Sequence, residues 1–212
     1  MIDKQELEQF IAQAMHEDVR GGDYSSLASI DASAQGKARL LVKDNGILCG
    51  VEVAKAIFEQ VDADLRVETH IHEGAVIKYG DVAFHVYGSA ISILTAERLV
   101  LNCMQRMSGI ATKTNEYVKA IDGTTAKVID TRKTTPNLRF LEKYAVTVGG
   151  GSNHRFGLYD MIMLKDNHID FCGGITKAVT KVRDYLAANQ LDLKIEVETR
   201  SIDNVKEVLQ CG

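Results

Sequence analysis

Four short apolar segments in the second half of the chain constrain its fold most: AKVID (126–130), AVTV (145–148), DMIML (160–164) and LKIEV (193–197). Each has the length of a buried strand, and residues 174–188 and 201–210 read as helices. This alternation is the α/β pattern of a parallel sheet or barrel, in which the carboxyl ends of the strands lie side by side on the ligand-binding face. Each segment runs into polar residues: Thr131, Arg132 and Lys133; GGGSNHR with His154 and Arg155; Lys165, Asp166, Asn167 and His168; and Glu198. Four segments are therefore expected to deliver cations and an acid to one rim.

The charge distribution agrees. The chain has a net charge of −4, which argues against nucleic acid as a partner, yet the charge is unevenly spread. Residues 1–100 carry a balance of −7, whereas 132–165 hold six Lys or Arg (Arg132, Lys133, Arg139, Lys143, Arg155, Lys165) against Glu142 and Asp160. A cationic patch in an acidic chain suggests a small anionic ligand. No apolar run approaches the ~20 residues of a membrane helix. The acidic, amphipathic N-terminus lacks the features of a secretory signal, so cytoplasmic residence is expected. The spacing of Cys49, Cys103, Cys172 and Cys211 suggests neither a disulfide framework nor a structural zinc site, and they read as buried thiols.

The first hundred residues read as a mixed α+β domain. Leu7, Phe10, Ile11 and Ala14 predict a helix over 3–15, ending before the loop HEDVRGGDYSS. KARLLVK, GILCG, LRVETHI and AVIKYGDVAFHVYG read as short strands, and Val53, Ile57 and Phe58 place a helix over 51–60. A long helix is predicted from Leu94 to Ile121, with Thr95 as its N-cap and a break at Ser108-Gly109. The expected division is 1–100 and 101–212.

Each candidate has an ordinary alternative. Arg132 and Lys133 could be a solvated turn; their repeated placement after strands favours a ligand, because Arg offers a planar fork and Lys a point charge. The glycines of GGGSNHR can bring amides close to an anion, or simply form a tight turn. Lys165 and His168 could be a general acid, a Schiff-base lysine or anion ligands; clustered cations suit a polyanion better than a Schiff base. Glu196 and Glu198 share a strand face, where an acid could hold a ribose or magnesium, or form an internal salt bridge. His70, His72 and His85 read as surface residues, because His70 and His72 alternate without a third ligand beside them.

Six motifs in order, HEDVRGGDYSS, KDNGILCGVEVA, LTAERLVLNCMQRMSGIAT, IDTRKTTPNLRFLEKYAV, GGGSNHRFGLYDMIMLKDNHI and IEVE, resemble the quinolinate phosphoribosyltransferases almost end to end. The resemblance implies an α/β fold with an N-terminal α+β sandwich followed by an atypical α/β barrel, in a homodimer whose sites are shared between subunits. It implies transfer of the phosphoribosyl group of phosphoribosyl pyrophosphate to quinolinate, with release of pyrophosphate and carbon dioxide, giving nicotinate mononucleotide for NAD biosynthesis; magnesium accompanies the pyrophosphate. By the same resemblance Arg132, His154 and Arg155 bind the quinolinate carboxylates. Arg98 matches the arginine supplied across the dimer interface, and Lys133 and Lys165 match lysines that hold pyrophosphate and substrate. Glu198 matches the acid facing ribose and magnesium, and its strand-end position favours it over Glu196.

A closed eight-unit barrel takes ~250 residues, about 30 per unit, so residues 124–212 suffice for about three units and the barrel is expected to be incomplete. The family's second acidic residue and its 5'-phosphate segments are expected beyond Gly212, and the chain ending there is expected to be inactive alone. A noncatalytic anion-binding or assembly subunit is the rival reading, and transfer to a related base is a third.

Overall fold

The computed structural model describes residues 2–212, and its contacts divide the chain into two compact units, Met1–His154 and Arg155–Gly212. In the first unit, helix α1 (Lys4–Asp18) is capped by Asp3, whose carboxylate accepts from the Glu6 amide at 2.9 Å. It continues through His16, Glu17 and Asp18, three residues beyond its expected end. A short α2 (Tyr24–Ser29), not anticipated, starts at Asp23, which accepts from the amide and the hydroxyl of Ser26.

Strand β1 (Gln35–Leu41), the short β2 (Gly46–Ile47), helix α3 (Val51–Val61), β3 (Arg66–Thr69), β4 (Val76–Ile77) and β5 (Val82–Ser89) follow. They form a three-stranded antiparallel sheet in the order β1-β5-β3 and a separate β2-β4 ribbon. Alternation sets the faces: Phe84 and Val86 point into the core, where Phe84 meets Phe58 of α3 edge-on at 6.1 Å, while Lys37, Arg39, Glu68, His85 and Tyr87 occupy the other face. The α3 N-terminus is held from a distance. Glu73 accepts from the amides of Gly50 and Val51 at 2.7 and 2.8 Å, and Gly50 turns the chain there with a φ of 100°.

Helix α4 (Ala90–Ala120) runs unbroken for 31 residues. Its N-cap is Ser89, not Thr95; the Thr95 hydroxyl lies inside the helix and donates to the Ile91 carbonyl at 2.9 Å. The expected break at Ser108-Gly109 is absent. Ser108 instead accepts from the Cys49 amide at 2.9 Å and donates to the Cys49 carbonyl at 3.1 Å. An interior glycine costs about 1 kcal/mol, which packing of Ile93, Ala96, Val100, Met104, Met107 and Ala111 on one face outweighs. Helix α5 (Arg139–Val148) packs on α4 and contains AVTV, which is therefore helical, not a strand. Its β-branched residues follow Phe140 and Leu141 at helical spacing, and burial of that face overrides local propensity. AKVID makes a single parallel bridge, Ile129 to Ser152.

The second unit contains β6 (Ile162–Leu164), α6 (Asp166–Cys172), α7 (Ile175–Ala188), β7 (Ile195–Val197) and α8 (Ile202–Gln210). β6 and β7 pair in parallel, with Leu164 opposite Val197. Leu164, Ile175, Ala178 and Val179 form its core, joined by Ile162, Ile195, Val197 and Val208. Two of the four expected strands are thus strands, and the described residues contain no closed barrel. None of their helices is long and apolar enough to cross a membrane.

Candidate functional site

In the first unit the segment 128–130 runs alongside 152–154. The Ser152 amide donates to the Val128 carbonyl at 2.8 Å, and the Asp130 amide to the Ser152 carbonyl at 3.2 Å. This brings the approach to Arg132 and Lys133 next to His154. The join is made by charged groups removed from water: Lys143, 2% exposed, forms an ion pair with Asp130 and donates to the His154 carbonyl at 3.1 Å, while Asp130 accepts from the His154 amide at 2.9 Å. Lys143, counted in the cationic stretch 132–165, is committed to this clasp.

The turn carrying Arg132 is braced from two helices. Arg106 of α4 donates to Glu142 of α5 at 2.6 and 2.8 Å and to the Thr135 hydroxyl at 2.8 Å, and Glu142 accepts from the Thr135 amide at 3.2 Å. Arg139 donates to the Thr134 hydroxyl at 3.0 Å. Within this frame Lys133 is exposed and Arg132 half-buried, and Nε of Arg132 is buried without a hydrogen-bond partner. An orphaned guanidinium donor is uncommon, and an anionic ligand would satisfy it.

The glycines of GGGSNHR serve packing. A Cβ on Gly149 would lie 2.4 Å from the Ala111 carbonyl oxygen of α4, and Gly150 adopts a φ of 92°. Arg98 stands on the exposed face of α4, with no hydrogen bond to the Arg132 or His154 segments among the described residues.

In the second unit Arg155 is buried and donates to the Met161 carbonyl at 3.2 Å. The turn behind it is closed by Asp160, which accepts from the amides of Phe156 and Gly157 at 2.7 and 2.8 Å. Lys165 follows β6 and Glu198 follows β7. The Glu198 amide donates to the Leu164 carbonyl at 2.8 Å, so the two exposed residues leave adjacent parallel strand ends. Glu196 shares the exposed face of β7. His168 has a local task, accepting the Lys165 amide at Nδ1 at 2.9 Å. Arg200, not singled out from the sequence, bridges Asp166 and Asp170, and its hydrogen bonds hold the Asp170 carboxyl below its ordinary value.

Burial pushes the Cys103 thiol up to about 11 and raises Cys49 further, so both are protonated at neutral pH and unsuited to nucleophilic work. Cys172 and Cys211 are only half-buried, unlike the buried thiols expected.

Two family models match: the quinolinate phosphoribosyl transferase N-terminal domain over residues 23–108 and the C-terminal domain over 110–212. Quinolinate phosphoribosyltransferase (decarboxylating) 2, mitochondrial, of Nicotiana glauca is 45% identical over 206 residues; the match spans 97% of this chain and 58% of that protein. The crystal structure of NadC from Streptococcus pyogenes superposes with a TM-score of 0.94 at 41% identity, covering all of this chain and 74% of that one. The nicotinate-nucleotide pyrophosphorylase structure from Francisella tularensis gives 0.92 at 34% identity, over 100% of this chain and 73% of the other. The identities and coverage, joined to the ordered motifs, place this chain in the quinolinate phosphoribosyltransferase family.

Proposed function

We propose that the protein joins quinolinate to the ribose of phosphoribosyl pyrophosphate, releasing pyrophosphate and carbon dioxide and giving nicotinate mononucleotide for NAD biosynthesis. The observation that carries the reading is the buried, unpartnered Nε of Arg132, on a turn braced by Arg106 and Glu142 beside the His154 segment. A guanidinium fork held in place matches a planar carboxylate.

Arg132, His154 and Arg155 take the two carboxylates in this reading, and Arg98 completes the site across a homodimer interface. The ring nitrogen attacks the anomeric carbon as the bond to pyrophosphate breaks. Lys133 and Lys165 hold the anionic groups, so the step proceeds by positioning and charge stabilisation. The carboxylate beside the ring nitrogen then leaves as carbon dioxide, its electron pair staying on the ring carbon next to the cationic nitrogen, where a proton is taken up.

Magnesium binds through one or two carboxylates together with substrate phosphates, and the exposed Glu198 carboxylate beside Lys165 fits that donor set. When bound it neutralises charge on the departing pyrophosphate. We retain 1–100 as the sandwich domain and 101–212 as the first part of the barrel domain, and a cytoplasmic setting consistent with four unpaired cysteines.

The test is calorimetric titration with quinolinate and, separately, with nicotinate, which lacks the second carboxylate. Quinolinate should bind at least tenfold tighter, and Arg132→Lys should remove most of that preference. Equal binding of the two acids, or an unchanged preference in the variant, would overturn the assignment. Pyrophosphate release with phosphoribosyl pyrophosphate and magnesium tests turnover.

A further inference from the structure

Away from the anion-binding segments, the exposed face of the three-stranded sheet carries Glu68, His70 and His85. Register places Glu68 of β3 directly opposite His85 of β5, and the His70 amide donates to the Ala83 carbonyl at 2.9 Å, extending the pairing past the strand end. Period-two alternation then puts Glu68 and His70 on the same side as His85, while Val67, Phe84 and Val86 turn the other way. His70 Nε2 lies 2.7 Å from His85 Nδ1, and one ligand atom from each of the three residues falls within 4.8 Å of the others. Glu68 is held in this posture by the Tyr87 hydroxyl, which donates to Oε2 at 2.8 Å.

The geometry points to a surface site for a zinc-like divalent ion, bound by His70 Nε2, His85 Nδ1 and a Glu68 carboxylate oxygen, with the remaining position open to water. Zinc takes imidazole nitrogen and carboxylate oxygen at about 2.0–2.2 Å, which separates two tetrahedral ligands by about 3.3 Å. The two imidazoles therefore have to open by only about half an ångström, trading their mutual hydrogen bond for the metal. Two neutral nitrogens and one oxygen suit zinc, copper or nickel over magnesium, which prefers oxygen. This separates the site chemically from the magnesium role proposed for Glu198.

Neighbouring charges set the strength. The Lys37 ammonium and the Arg66 guanidinium both lie over the Tyr87 ring, at 5.0 and 4.7 Å, and Arg39 is the register partner of His85 on β1. These cations oppose a divalent ion, so binding is weaker than at a closed four-ligand site. Bound metal would cross-link β3 to β5 on the solvent side.

The experiment uses the intact chain. Zinc is titrated by calorimetry, and cobalt is added as an optical reporter of tetrahedral nitrogen and oxygen ligation. The expected result is one ion per chain, with affinity at least tenfold lower in His70→Gln and in His85→Gln but unchanged in His72→Gln. Excess magnesium should not displace the ion. Unchanged metal-free melting temperatures in the variants separate loss of ligands from loss of fold, and zinc should raise the melting temperature of the parent and of His72→Gln but not of the two ligand variants. No binding, equal binding in the ligand variants, or weakening by His72→Gln alone would overturn the assignment.

Discussion

Replacing Lys143 with Met tests the clasp that joins the Arg132 and His154 segments. The substitution keeps an unbranched side chain of similar length in α5 but removes the cation. Lys143 is 2% exposed and the Asp130 side chain 7%, so the carboxylate would be left in a nearly dry site with the His154 amide as a remaining donor, and the His154 carbonyl would lose the Lys143 hydrogen bond. Removing one member of a buried pair costs about 3–5 kcal/mol, chiefly because the other charge stays buried. At about 2–4 °C per kcal/mol for a protein of this size, the melting temperature should fall by ~6–20 °C. Asp130→Asn should cost a similar amount, since it strands the ammonium instead. The double variant should be markedly more stable than the sum of the two losses predicts, because neither charge is then left alone. Thermal unfolding followed by circular dichroism measures all three. A Lys143→Met protein melting within ~2 °C of the parent, or strictly additive losses, would refute the account of a buried, mutually dependent pair.

Glu73→Ala removes the acceptor shared by the Gly50 and Val51 amides and should cost roughly 2 kcal/mol, read as a lower melting temperature, whereas Glu73→Gln, which retains one acceptor, should cost less. Arg200→Ala should destabilise the chain at neutral pH and converge with the parent in acid. The Asp170 carboxyl lies below its ordinary 3.8 in the folded protein, so its contribution is present above that value and lost as pH falls through the lowered one; urea unfolding across pH 2–7 follows this. If the homodimer shares its sites, mixing Arg98→Ala with Arg132→Ala chains in an enzymatically active preparation should restore activity that neither has alone. Failure to recover any activity after subunit exchange counts against sharing.

Much of the first unit was legible because its signals are local. Leu7, Phe10 and Ile11 mark α1, the alternation in AFHVYG marks β5, and Val53, Ile57 and Phe58 mark the buried face of α3. Where the reading failed, a distant contact outweighed a local preference. Ser108-Gly109 looks like a helix break until the Ser108 hydroxyl is seen gripping the Cys49 backbone, 59 residues away. AVTV has strand composition, but Phe140, Leu141 and Ala145 already establish a helical stripe that α4 buries.

The same distinction holds for the candidate residues. Arg132, Lys133, His154, Arg155 and Lys165 stand out as candidates because basic residues after apolar segments are conspicuous along the chain, and Glu198 because it ends the last of those segments. What braces the Arg132 and His154 segments does not stand out, because Asp130 pairs with Lys143 across a loop and Arg106 reaches Glu142 from another helix. A cue did exist: Lys143 follows Phe140 by three residues and therefore falls on the buried face of α5, where a lone charge requires a partner. The histidines carry the matching lesson for sheets. His70 and His72 invite pairing with each other because they alternate along one segment, yet His70 meets His85, fifteen residues on, because the β3–β5 register sets its neighbours. Spacing along a strand shows which side chains share a face; strand register decides which of them can hold one ion.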